Sequence, residues 1–83
     1  MNDTEYGETT AYLRNEVLRK RPYLTVEMCR RIIQTPYRKE AQPDGRIRFW
    51  GKVPEIGGRW LRVATFEDGT TVHNAFADRG FKP

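Results

Sequence analysis

The chain has 83 residues and a mass of 9.8 kDa, which fits one small domain spanning 1–83 and leaves no room for a second core. Fifteen Lys/Arg stand against 11 Asp/Glu, so a strongly acidic mimic of nucleic acid is excluded. The single cysteine, Cys29, excludes an internal disulfide, and no apolar run approaches the ~20 residues of a membrane span. Met1 is not followed by a basic-then-apolar leader pattern, so the sequence reads as that of a cytoplasmic protein.

Charge is unevenly placed. Residues 1–11 carry Asp3, Glu5 and Glu8 and no base, and residues 1–8 read as a loose acidic arm. Residues 12–62 carry 13 Lys/Arg against 5 Asp/Glu, the footprint expected of a surface that meets a polyanion. An ordinary solvated surface of arginines has the same composition.

Thr9 or Thr10 caps a first helix on which Tyr6, Thr10, Leu13 and Val17 fall at helical spacing, with Tyr6 before its start. Pro22 stops it, because a residue preceding proline resists the helical conformation. Thr25 caps a second helix with an apolar stripe of Met28, Cys29, Ile32 and Ile33, while Glu27, Arg30, Arg31 and Gln34 face away. Pro36 ends it. Cys29 lies in the stripe and reads as a buried, inert thiol rather than a nucleophile.

Beyond Pro36 the period becomes two. Residues 37–42 make a charged edge strand, QPDG turns the chain, and 46–53 alternate cleanly. PEIGG forms a loop, and strands 59–66 and 70–76 flank a hairpin turn at Asp68-Gly69. The predicted architecture is α+β: two N-terminal helices packed on one face of an antiparallel meander of three to four strands.

A two-residue turn at Asp68-Gly69 pairs Thr65 with Val72, Val63 with Asn74 and Leu61 with Phe76 on the helix-covered face. Ala64 then meets His73, and Arg62 meets Ala75, on the other. That open face gathers Arg48, Trp50, Lys52, Trp60, Arg62 and His73, with Arg46 at its margin. Asn74, on the nominal core side, needs a hydrogen-bond partner there.

Arginine and lysine orient phosphates, and flat aromatic rings stack on unpaired bases, so Arg46, Arg48, Trp50, Lys52 and Trp60 are candidate RNA contacts. RNA can be cleaved by its own 2′-hydroxyl given a proton carrier and cations for the charge gathering on phosphorus. His73, the one histidine, suits the first task, and Arg62, Arg48 or Lys52 suits the second. Each has a plainer reading: an idle strand histidine, tryptophans packed on each other or beneath the N-terminal arm, and Asp78-Arg79 as a structural ion pair. One histidine, one cysteine and scattered carboxylates give no metal site, so no cofactor is expected.

The stretches DGRIRFWG (44–51) and RWLRVATFEDGTTVHNAFADRGF (59–81) resemble small bacterial proteins of toxin–antitoxin type, near the RelE/BrnT-like ribonuclease toxins. The resemblance covers about half the chain. It rests on Leu61, Arg62, Val63, Asp68, Gly69, Val72, His73, Asn74, Ala75, Phe76, Asp78 and Arg79. It implies a RelE-like fold, metal-independent cleavage of mRNA, often on the ribosome, and restraint by a cognate antitoxin protein. It also implies a catalytic tyrosine or basic group beyond the last strand, where this chain has Arg79 and Lys82. The alternative is a non-catalytic module that binds RNA or a protein through the same face.

Overall fold

A computed structural model describes residues 9–83; the proposed acidic arm, residues 1–8, and Tyr6 lie outside the described residues. Helix α1 spans 11–20, and its central turn, Leu13–Val17, is π-helical, closed by a bond from the Leu18 N–H to the Leu13 carbonyl. Helix α2 is Val26–Gln34. Four strands follow, β1 (Arg38–Ala41), β2 (Ile47–Val53), β3 (Arg59–Thr65) and β4 (Val72–Ala77), in an antiparallel sheet of order β1-β2-β3-β4. This is the predicted α+β plan, with both helices N-terminal to the sheet. Among the described residues no helix is long and apolar enough to cross a membrane.

The helix ends follow from their caps. The Thr10 hydroxyl accepts from the Leu13 N–H at 3.0 Å, and the Thr25 hydroxyl accepts from the Met28 N–H at 3.2 Å. At the far end of α2 the Thr35 N–H and hydroxyl both donate to the Arg31 carbonyl before Pro36 breaks the pattern.

Leu13, Val17, Leu24, Met28, Cys29 and Ile32 from the helical layer meet Phe49, Val53, Leu61, Val63, Val72 and Ala75 from the sheet, all buried. Burial of this order supplies most of the folding energy of a small domain. Gly51 allows close contact between α2 and β2, since a Cβ there would lie 2.6 Å from the Ile32 Cδ1 atom. Burial pushes the Cys29 thiol up to about 12, as an inert thiol requires.

The two sheet edges differ. A parallel bridge joins Thr9 to Val72, and the Thr10 N–H donates to the Val72 carbonyl at 3.0 Å, so residues 9–10 cover part of the β4 edge. The β1 edge is exposed throughout and carries Arg38, Lys39 and Glu40, charges that oppose edge-to-edge pairing.

The β3–β4 register departs from the expected one at a single point. Phe66 and Thr71 close the hairpin, Gly69 takes φ +72°, and Thr65 pairs with Val72 as predicted. Asp68 organises the loop by accepting from the Thr70 and Thr71 N–H groups and from the Thr71 hydroxyl. Then the pairing slips: Ala64 meets Asn74, Val63 meets Ala75, and Arg62 meets Phe76. His73 is an extra residue in β4, a β-bulge. Ala75, not Phe76, therefore lies in the core at 1% exposure, and Asn74 leaves the core side. Phe76 lies on the open face beneath the Arg62 guanidinium, with Cζ 4.2 Å from the ring centroid.

Truncation should separate the two faces. Leu61→Ala, at a fully buried site, should lose about 2–5 kcal/mol in urea denaturation. Phe76→Ala should lose about 1 kcal/mol, chiefly the cation–π contact with Arg62. Equal losses would contradict the bulged register.

Candidate nucleic-acid interface

Cross-strand pairing builds the open face in rows. Arg38, Trp50, Arg62 and Phe76 form one, and Glu40, Arg48, Ala64 and Asn74 form the next. Lys52 and Trp60 pair beyond them, with the Lys52 ammonium 5.4 Å from the Trp60 ring centroid. The expected basic and aromatic residues of β2 and β3 thus share one face.

At one end, Arg46, Arg48 and Arg62 line a shallow basin with Gln42, Asp44, Ala64, Asn74 and Phe76. Ala64, lacking bulk, leaves the space between the arginines open. The Asn74 carbonyl oxygen accepts from the Ala75 N–H at 2.9 Å, so its amide NH₂ is the group that remains to donate. Partial burial holds the Arg62 guanidinium below its ordinary value, and the Arg48 charge acts in the same direction, while Asp78 opposes both. Two cations held near each other on a partly desolvated surface favour a bound anion.

At the other end the tryptophans are not a bare platform. Trp50 is 5% exposed, because Phe81 returns over it in a near-parallel stack, with centroids 5.1 Å apart at 18°. Phe81 also packs on Trp60 and Tyr37, and the Arg38 guanidinium lies 4.9 Å from its centroid. The tryptophans therefore pack beneath the C-terminal segment, which revises the expectation that Trp50 offers a free stacking surface. Asp78 anchors that segment by accepting from the Trp50 Nε1–H at 3.0 Å, with the Arg62 Nε 3.9 Å away. The expected Asp78-Arg79 pair is thus replaced by Asp78 with Arg62. Arg79 is exposed and lines a groove with Arg59, Trp60, Ala77 and Asp78.

His73 does not stand in the ladder with Arg62, Arg48 and Trp50, as the unbulged register required. Asn74 takes the position opposite Ala64, and the bulge turns His73 to the start of α1. Its Nδ1 lies 3.1 Å from the Thr10 hydroxyl oxygen, and its ring stacks on Tyr12 and leans on Phe66. The Thr10 oxygen accepts from the Leu13 N–H and keeps a second lone pair, so it meets either tautomer of the neutral ring, donating to a bare Nδ1 or accepting from Nδ1–H. Burial lowers the His73 pKa, and the Arg46 charge lowers it further. Arg46 is also the link to the basin, since its Cζ lies 5.7 Å from the centroid of the Phe66 ring that touches His73.

Thr10 as the histidine partner and Phe81 as a stacking ring are contacts that the sequence pattern does not mark. An aromatic three residues after a strand-ending aspartate is the only local signal for Phe81. Among the described residues no cluster of His, Cys, Asp or Glu is placed to hold a metal ion. No protein-family model, curated protein or solved structure matches this chain.

The histidine contact predicts a pH dependence. The folded chain favours neutral His73, so stability is constant above the ordinary value of 6.5 and declines as pH falls below it. The decline ends once pH is under the depressed folded value. Thermal melts between about pH 7 and pH 5 should show this slope in the wild type and lose it in His73→Asn. Parallel slopes for both proteins would contradict the neutral-histidine contact.

Proposed function

We propose that this chain binds RNA through the open sheet face, as the RNA-engaging toxin component of a cytoplasmic toxin–antitoxin pair, with a cognate antitoxin protein as its partner. The observation that carries this reading is the pair of like-charged side chains Arg48 and Arg62 in one basin, with Arg46 at its rim. A phosphate between them relieves their repulsion and accepts from both guanidiniums and from the Asn74 amide. Arg38 and Lys52 extend the positive surface towards the tryptophans, and Arg79 lines the groove beside Trp60, so a strand several nucleotides long can follow it. The toxin assignment rests on the sequence resemblance.

Metal-independent cleavage of mRNA is the second reading. It is favoured by the chain of contacts from His73 through Phe66 to Arg46, which brings the imidazole to the margin of the basin. In that reading Nε2 is the proton-moving atom, because Thr10 occupies Nδ1. Arg62 opposes the charge gathering on phosphorus, and Arg79 adds a cation from the groove beside Trp60. The Thr10 contact ties the ring to the start of α1, and burial beside Arg46 disfavours the imidazolium through which proton transfer would pass. Binding is therefore the reading the geometry supports better.

Both readings predict that affinity for RNA falls steeply with salt, and that Arg48→Ala with Arg62→Ala flattens the logarithmic salt slope by about one unit per lost contact. This holds for every RNA sequence alike. Salt-independent binding that ignores both changes would contradict them. Single-turnover incubation with EDTA, with and without ribosomes, separates the two. Cleavage predicts 2′,3′-cyclic phosphate ends and roughly a 10²-fold loss in His73→Ala, whereas the binding module leaves the RNA intact.

A further inference from the structure

We infer that Trp50 and Trp60 form a stacking subsite for an unpaired nucleobase, and that the chain's own C-terminal segment, Asp78 to Phe81, occupies it in this structure. The inference rests on the RNA-binding reading above and adds where a base would lie and what must leave first.

Phe81 is held as a base would be. One flat ring lies near-parallel to the Trp50 indole, with the Arg38 guanidinium 4.9 Å from its centroid and Trp60 tilted beside it at 4.8 Å. An indole and a guanidinium on one planar ring make the arrangement that single-stranded nucleic acid uses on its binding proteins. Asp78 completes the likeness. Its carboxylate takes the Trp50 Nε1–H and sits beside Arg62, where the phosphate attached to a stacked base would find the same donors.

The segment is also built to be released. Its sheet pairing ends with the Asp78 N–H on the Trp60 carbonyl at 2.8 Å. Past that point, among the described residues, the backbone is held by local bonds, from the Gly80 N–H to the Asp78 carboxylate and a long 3.4 Å bond from the Phe81 N–H to the Asp78 carbonyl. Arg79, Gly80, Lys82 and Pro83 are exposed, so Phe81 is retained through its ring. Gly80 gives a hinge between the anchored aspartate and that ring. The groove lined by Arg59, Trp60 and Arg79 runs alongside, ready for the neighbouring phosphate.

The experiment compares the wild-type 83-residue chain with Phe81→Ala, using a single-stranded oligouridylate and an abasic strand of equal length at fixed salt. Affinity and tryptophan quenching are read together. Phe81→Ala should bind oligouridylate roughly tenfold more tightly, with added quenching, and should bind the abasic strand as the wild type does. Unchanged affinity and quenching in a variant that melts as a folded protein would overturn the inference and leave Phe81 as structural cover only. An equal gain on both strands would also overturn it, because Phe81 would then be screening charge rather than filling a base site. Should Phe81→Ala fail to fold, Phe81→Leu keeps an apolar cover but removes the flat ring that stacks on Trp50. It should show the same preference for the strand with bases, and wild-type binding would overturn the inference. Failure of the broader RNA reading is distinct: neither strand would respond to salt or to loss of Arg48 and Arg62.

Discussion

Val72 and His73 together face Thr65, and this one extra residue sets the direction of every later side chain in β4. Without it the period of two would put Asn74 against the core, where an amide needs a partner, and Ala75 among the arginines. With it Ala75 packs at 1% exposure, Asn74 joins the basin, and Phe76 supports the Arg62 guanidinium. The displaced residue is His73, and its exit from the ladder is what brings it to Thr10. The bulge thus ties three features together: the closing of the core, the seating of α1, and the separation of the imidazole from the arginine rows.

Thr10 serves two elements at once. Its hydroxyl accepts the orphan Leu13 N–H at the start of α1 and shares a hydrogen bond with the imidazole Nδ1 in β4, while its backbone N–H extends the β4 edge. A charged imidazole at this place would meet the positive end of α1 and the Arg46 guanidinium, and a neutral one satisfies both neighbours. Chemistry that requires His73 to gain or lose protons freely therefore works against the contact that holds the helix. The arginine basin carries no such conflict, because its repulsion is relieved by the ligand it would bind.

Much of this was legible in the residues. The Thr25 cap and the prolines at 22 and 36 delimit the helices, and the alternation of Ile47, Phe49 and Val53 against Arg48, Trp50 and Lys52 divides the sheet faces. The Thr65–Val72 pair follows from the Asp68-Gly69 turn. The bulge was not legible, because TTVHNAF alternates acceptably in either register and only the fit of Ala75 rather than Phe76 under the helices decides between them. Nor was the return of Phe81 over Trp50, a contact between residues 31 positions apart with no periodic signal. Such long-range packing is fixed by the finished sheet surface, which short-range pattern does not encode.

The central claim is that RNA meets the arginine rows and not the imidazole. The most direct measurement is NMR of the ¹⁵N-labelled protein titrated with single-stranded RNA, following the arginine Nε and the histidine ring nitrogens. The account predicts that the Arg48 and Arg62 Nε resonances move with saturation while the His73 ring nitrogens stay in the neutral, Thr10-bound pattern. Large shifts at the His73 ring with the Arg48 and Arg62 signals unmoved would contradict it.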